Sequence, residues 1–419
     1  MLNRTLPPIT HNISTFDLKQ VSKTTSGDVD IYYLNAGTQP VIKLEFLFPI
    51  GGNYYEPRPG VSMLCLQLLK EGSTNYTSKQ IADSLAQFGA FLDINPSFDA
   101  PSISLLCLNK HLNSLLPIIS DILLSPSFPD EELETLKRIQ IQNLKNQNRK
   151  NNVIASKNFR NALFGDEYPY GKIISETDIT NITTDDIKAF FTSNLSQFEI
   201  FVSGALDQHL NSIIRNFQNT KPKAKYSNSS NIQYHFQPQI INQNKDNSSQ
   251  TSVRVGKPII SKSHNDYVKL LITNHILGGY FGSRLMKNIR EDKGYTYGIY
   301  SSIVNLQYDS YLVIGSDIIK ESLDDTLAQI RREISILQNE PISSSELDAV
   351  RNHLIGSFQS SINTPFAIMS KFKNIHMHGL DYSFYNNYIT SIQSIDPYTI
   401  LNTANEYFSL KDMTIVTVG

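Results

Sequence analysis

Four sets of side chains in this sequence are of types that could do chemistry, and each has a plain packing explanation beside it. The stretch GGYFGSRLMKNIREDKGYTYGIYSS (278–302) sets glycines ahead of a charged helix, the outline of a phosphate loop. It lacks the Lys–Ser/Thr pair that grips phosphate and magnesium, which argues against nucleotide binding. His376 and His378, in NIHMHGLD, offer two imidazoles, but positions i and i+2 of a helix face apart and two ligands make a weak metal site. His275, in ITNHILGG, lies on an apolar helix and reads as a packed side chain. Cys65 would act as a nucleophile only with a base and an electropositive setting, which its apolar surroundings in sequence do not supply.

The elements that must hold these residues follow from caps and periodicity. Ser283 is placed to cap a helix through RLMKNIREDK, with Lys287 and Glu291 as i,i+4 partners and Gly294 just past the end. YTYGIYSSI then alternates as a strand, with Tyr295, Tyr297 and Ile299 expected on one face. On local pattern alone this is a glycine-eased helix entry, with Arg290 solvated and Tyr297 half buried.

The chain carries an internal repeat. PSFPDEELETLKRIQIQNLKN (126–146) and NEPISSSELDAVRNHLIGSFQ (339–359) both pass from a proline-bearing turn through an acidic start into an amphipathic helix. Leu133 and Leu347 are equivalent, an offset of 214 (347 − 133). ITTDDIKAFFTSNLSQFEIFVSG and IDPYTILNTANEYFSLKDMTIVTVG share a second layout of capped helix, loop, strand and closing glycine. Gly204 and Gly419 set that offset at 215 (419 − 204), so one register relates both pairs. Strand-like runs (VIKLEFLF, SISLLCL, YLVIGSD) mix with helix-like ones (SKQIADSLAQFG, SLDDTLAQIRREISILQ) in each half. The expectation is an α+β fold of two homologous domains, each a sheet with helices packed on one face. The segment 220–250 is rich in Asn, Ser, Gln and Lys and reads as an exposed connection. The boundaries drawn are a first domain at 1–225, a linker at 226–250 and a second domain at 251–419.

Composition sets the outer limits. Charged residues are 18% and the net charge is −2 without a basic block, so nucleic acid is not an expected partner. MLNRTLPPIT has no apolar signal-peptide core, and no run reaches the roughly 18 apolar residues of a membrane span. The two cysteines, Cys65 and Cys107, sit in apolar segments and read as reduced and packed. A cytoplasmic protein is the expectation.

The order Gly-Gly, Ser-Arg-Leu, Arg-Glu-x-x-Gly-Tyr-x-Tyr resembles the second domain of the pitrilysin/insulinase family of zinc peptidases, in the branch of the mitochondrial processing peptidase. LDAVRNHLIGSFQSSINTPFAIMSKF (347–372) and the DMTIVTVG ending resemble the same domain, and the likeness runs along nearly the whole chain. The resemblance implies two α+β domains with mostly antiparallel sheets, forming half of a clamshell around a peptide. It implies a zinc motif, H-x-x-E-H with a distant Glu, in the first domain of an active subunit. From the second domain it implies an Arg and a Tyr that contact the substrate carbonyl, which map to Arg290 and Tyr297, with Tyr295 as the other candidate phenol. In GVSMLCLQLLKEGSTNYTSKQIAD (60–83) the two zinc histidines fall on Met63 and Gln67 and the general base on Leu66. The distal ligand falls at or within one residue of Asn143. A thioether, two amides and a leucine neither ligate zinc well nor take a proton.

What the resemblance implies is therefore a non-catalytic, substrate-binding subunit. It would be inactive alone and part of a two-chain metalloendopeptidase with a homologous partner that bears H-x-x-E-H and holds the zinc. This chain itself would take no cofactor. The runner-up is a catalytically inactive homodimer with a peptide-binding or structural role.

Overall fold

The computed structural model describes residues 18–206, 209–218, 220, 233–246 and 248–419. The first 17 residues and much of the expected linker lie outside them.

The first half runs β1 (Ser22–Ser26), β2 (Val29–Asn35), β3 (Val41–Leu47), α1 (Val61–Leu68), α2 (Ser78–Gln87), β4 (Phe91–Asn95) and β5 (Ser102–Leu108). It continues through α3 (Leu112–Leu124), α4 (Asp130–Gln147), α5 (Asn151–Phe164), α6 (Glu176–Thr180), α7 (Thr184–Phe190), β6 (Glu199–Gly204) and α8 (His209–Phe217). The second half begins with β7 (Ile240–Gln243), β8 (Gln250–Ile259), α9 (Tyr267–Asn274), β9 (Thr296–Asn305) and β10 (Ser310–Ile319). Helices α10 (Leu323–Asn339), α11 (Ser344–Ser360), α12 (Pro365–His376), α13 (Ser383–Ser394) and α14 (Pro397–Tyr407) precede the last strand, β11 (Thr414–Val418).

The two sheets share one topology. The first is ordered β1-β2-β6-β3-β5-β4 and the second β7-β11-β8-β10-β9. Pairing is parallel between β2 and β6 and between β7 and β11, and antiparallel elsewhere. Strand β7 is thus the counterpart of β2, which corrects the linker drawn over 226–250. Residues 240–243 belong to the second sheet, and β8 starts one residue before the expected domain boundary. The short polar run IINQ becomes a strand because β11 offers it a parallel edge.

Period-two alternation explains both sheet faces. In β3, Ile42, Leu44 and Phe46 are buried in the core beneath α1, α3, α7 and α8. Leu47 turns to the opposite face with Tyr32, Leu34 and Phe201. In β10, Leu312 and Ile314 join the core of the second half, while Tyr311 and Val313 face the other way. Each domain's own helices cover one face, as expected. The second face is covered from the other half. Phe159, Ala162 and Leu163 of α5 pack with Tyr311, Val313, Val416 and Val418 of the second sheet. Met369 of α12 packs with Tyr32, Leu34 and Phe201 of the first. Helices α5 and α12 begin 214 residues apart (365 − 151), so the exchange is part of the repeat.

Polar groups fix the exchanged helix. Glu45, on the same face of β3 as Leu47, is ion-paired with Lys373 of α12 and accepts a hydrogen bond from the Ser102 hydroxyl at 2.6 Å. His376 meets Glu199 at 2.8 Å (Nε2 to Oε2). Burial alone would raise the Glu45 carboxyl, but Lys373, Ser102 and Lys43 outweigh it and hold the group below its ordinary range.

A depressed carboxyl stabilises the fold above its unfolded pKa and loses that contribution as pH falls through the folded value. The α12–sheet contact should therefore weaken in acid, below about pH 4. Lys373→Ala should cost about 2–3 kcal/mol. That is under the usual toll of breaking a buried pair, because Lys373 keeps 23% of its side chain exposed. Urea unfolding at pH 7 and pH 3 checks both: the variant should be weaker at pH 7, with the difference shrinking at pH 3.

Candidate functional site

The 278–302 segment is a packing corner that presents two hydrogen-bond donors. A Cβ on Gly278 would lie 2.6 Å from the Ser301 amide nitrogen, so the glycine permits close approach of the chain to β9. The helix after it starts at Arg284 and widens into a π turn over Met286–Asp292. The Ser283 carbonyl accepts from the Lys287 amide at 3.0 Å, but its buried hydroxyl has no partner, so it is not the expected side-chain cap. Lys287 and Glu291 form no ion pair among the described residues. Arg284 is instead clamped by Glu346 through two hydrogen bonds, at 2.9 and 3.0 Å. The Arg290 guanidinium lies over the exposed Phe281 ring, 4.4 Å from its centroid, and its buried Nη1 has no acceptor.

Tyr297 does not share a face with Ile299, contrary to simple alternation. Thr296 pairs with Ile318 and Ile299 with Ser316, so Tyr297 and Gly298 stand together opposite Asp317. This is a β-bulge, a device that re-aims a side chain. The Thr296 hydroxyl pins it by accepting from the Gly298 amide at 3.0 Å and donating to the Asp317 carbonyl at 2.7 Å. The result is a Tyr297 that is 93% exposed, not half buried, while Ile299 is buried at 3%. Tyr295, the other candidate phenol, donates to Asp325 at 2.8 Å and packs on the second core. Of the two candidate phenols, Tyr297 is the exposed one.

The remaining candidates pack. His275 stacks on Tyr280, with centroids 4.7 Å apart, and its Nε2 lies 3.0 Å from Nδ1 of His353. Burial, aided by His353, lowers the His275 pKa to about 4. His376 and His378 part as expected: one meets Glu199, and the other bonds the Asn374 carbonyl at 2.8 Å. Cys65 is wholly buried beside the Ile187 carbonyl, and burial raises its thiol far above the usual range. Cys107 is pushed up to about 11 by the same cause.

The four positions matched to the zinc site meet at the contact of α1 with α4. Met63 and Asn143 line one cavity of about 180 Å³. The Gln67 oxygen accepts from Nε2 of Gln140, another lining residue, at 3.0 Å. Leu66 is wholly buried in the first core. A zinc ion does not fit this set: the donors are a thioether and amides, and one amide oxygen is already engaged. Among the described residues no group of three His, Cys, Asp or Glu could hold a metal. Nor is any helix among them long and apolar enough to cross a membrane.

Known proteins match this architecture from end to end. Residues 34–176 match the model of the insulinase family (peptidase family M16), and 181–354 match the peptidase M16 inactive domain. The chain belongs to peptidase family M16. A Bacillus subtilis relative named an uncharacterized zinc protease, YmxG, is 21% identical over 74% of this chain and 76% of its own. A Helicobacter pylori relative named a non-peptidase homolog is 22% identical over 93% and 92%. The crystal structure of a peptidase M16 inactive domain from Pseudomonas fluorescens superposes with a TM-score of 0.86, covering 96% of this chain and 98% of that one at 23% identity.

Four charged residues on the cavity escaped the sequence reading: Glu56, Lys157, Arg160 and Lys172. Glu56 had a readable signal, an acid just ahead of a helix start. Its Oε2 accepts from the amides of Gly60 (3.0 Å) and Ser62 (3.1 Å) at the entry to α1. Burial nevertheless raises its pKa to about 7, against the pull of those amides and of Lys172. A carboxyl raised above its unfolded value of about 4.3 favours the folded state most at low pH. Glu56 should therefore subtract stability as pH climbs from about 4.3 to about 7, and no further above that. Urea midpoints at pH 5 and pH 8 test this. The wild type should lose stability over that interval, and Glu56→Gln, which keeps an oxygen for both amides, should lose less. Equal losses would mean that another group carries the dependence.

Proposed function

We propose that this chain is the non-catalytic, substrate-binding subunit of a two-chain zinc endopeptidase of the mitochondrial-processing-peptidase kind, forming half of a clamshell around its peptide. The observation that carries the reading is an asymmetry. Among the described residues, the positions matched to the metal offer only apolar groups and amides, whereas in the second domain the buried Nη1 of Arg290 has no acceptor and the Tyr297 phenol is exposed. A peptide carbonyl supplies such an acceptor. Held at a scissile bond, the two groups would orient the peptide and stabilise negative charge developing on its oxygen. The zinc and the H-x-x-E-H motif would come from a homologous partner. The printed name of the Helicobacter pylori relative, a non-peptidase homolog, supports inactivity of the chain alone.

That name also favours the second reading, an inactive homodimer with a peptide-binding or structural role, in which Arg290 and Tyr297 would serve binding only. Reconstitution with the zinc-bearing partner separates the two. Arg290→Ala and Tyr297→Phe should each lower kcat about a hundredfold. Tyr297→Phe should leave the melting temperature within about 1 °C, because the lost hydroxyl is solvent-exposed. Unchanged turnover in both variants would remove these residues from the reaction.

A further inference from the structure

The duplication built two related cavities. Gln140, Asn143, Leu144, Gln147, Lys157 and Arg160 line the first. The positions 214 further along, Leu354, Ser357, Phe358, Ser361, Lys371 and Asn374, line the second. At these matched positions the charges differ once. Where the second half has Asn374, which accepts a hydrogen bond from Lys262, the first half has Arg160. Lys157 and Arg160 therefore stand one helical turn apart on α5, beside the first cavity.

Lys157 donates to the Asn148 side-chain oxygen at 2.9 Å, and a third cation, Lys172, lines the same cavity. Among the described residues no carboxylate is ion-paired with Lys157 or Arg160. Arg160 lies over the Phe98 ring (5.1 Å) and makes one long bond to the Ser156 carbonyl (3.4 Å), but its buried Nε has no acceptor. Burial lowers both groups' affinity for their protons, and Arg160 adds to the effect on Lys157. Glu56, the carboxylate on the cavity wall, has its Oε2 committed to the amides of Gly60 and Ser62. A buried cation without a partner is costly, and an anion offsets that cost. Apolar groups, Met63, Pro169 and Ile174, also line the cavity. At about 180 Å³ the cavity exceeds the roughly 150 Å³ that accommodates a benzene-sized group. It has room for one apolar side chain.

We propose that the cavity holds the free carboxyl end of a peptide whose last side chain is apolar, with the carboxylate at Lys157 and Arg160 and the side chain against Met63 and Ile174. An internal Asp or Glu would bring charge without an apolar group. Asn143 and Gln147, exposed at the mouth, can bond the last peptide group. That the ligand is a peptide rests on the function proposed above. The binding itself needs no partner chain, so the two ideas fail separately.

Titration calorimetry of the full-length chain tests the proposal with three probes: a hexapeptide ending in leucine as the free acid, its C-terminal amide, and N-acetyl-leucine. The acid should bind with one-to-one stoichiometry and the amide about tenfold more weakly or worse. Lys157→Gln and Arg160→Gln should each weaken the acid about tenfold and leave the amide unchanged. Lys157→Gln, at a half-buried position, carries the test if Arg160→Gln unfolds. No binding of the acid, equal binding of acid and amide, or indifference to Lys157→Gln overturns the proposal. N-acetyl-leucine binding as tightly as the hexapeptide would assign the cavity to small acids and overturn the peptide end.

Discussion

Both sheets are apolar on both faces, and each domain's remaining helices pack on only one of them. That constraint governs the molecule. The first half lends α5 to the second sheet and the second half lends α12 to the first, so each domain completes the other's core. Tyrosines reinforce the seam: Tyr55 and Tyr308 share a hydrogen bond of 2.6 Å, and Tyr234 donates to Asp309 at 3.0 Å. A helix exchanged in this way cannot leave without stripping an apolar sheet face, at about 25 cal/mol for each Å² exposed. The two halves are therefore bound to one another by the same burial that folds each of them.

The same frame sets the chemistry. Helix α5 leaves α4 only to reach the second sheet, and on the way it carries Lys157 and Arg160 along the cavity that α1 and α4 enclose. In the second half, Gly278 lets the π turn sit against β9, and the bulge at Tyr297 and Gly298 turns one phenol outward. The two sites differ in kind. At the first, Leu66 packs in the core and Gln67 bonds to Gln140. At the second, the buried Nη1 of Arg290 has no acceptor and the Tyr297 phenol is exposed.

Much of this was legible in the sequence, for reasons particular to each element. The repeat showed because caps and closing glycines mark helix and strand ends locally: Thr183 and Asp396 cap α7 and α14, and Gly204 is the last residue of β6, with φ of 122°. Membership of peptidase family M16 showed because the order of glycines, charges and tyrosines in 278–302 is local in the sequence. Strand β7 did not show, since IINQ has little strand character and depends on β11, some 170 residues away. The bulge was equally hidden: period two puts Tyr297 with Ile299, and only the register against Asp317 reveals the extra residue. Lys373 and Glu45 are separated by 328 positions, so no local pattern could join them. Arg160 and Lys157 read as ordinary helix cations until α5 is placed against the cavity.

The central claim is that the metal half of the site belongs to another chain. Affinity purification of this protein from its native cells, under conditions that preserve complexes, tests it most directly when the recovered species is weighed, sequenced and assayed for zinc. The account predicts an equimolar homologue bearing H-x-x-E-H, with one zinc per pair. Recovery of a zinc-free homodimer alone would contradict it and leave the inactive, binding role in its place.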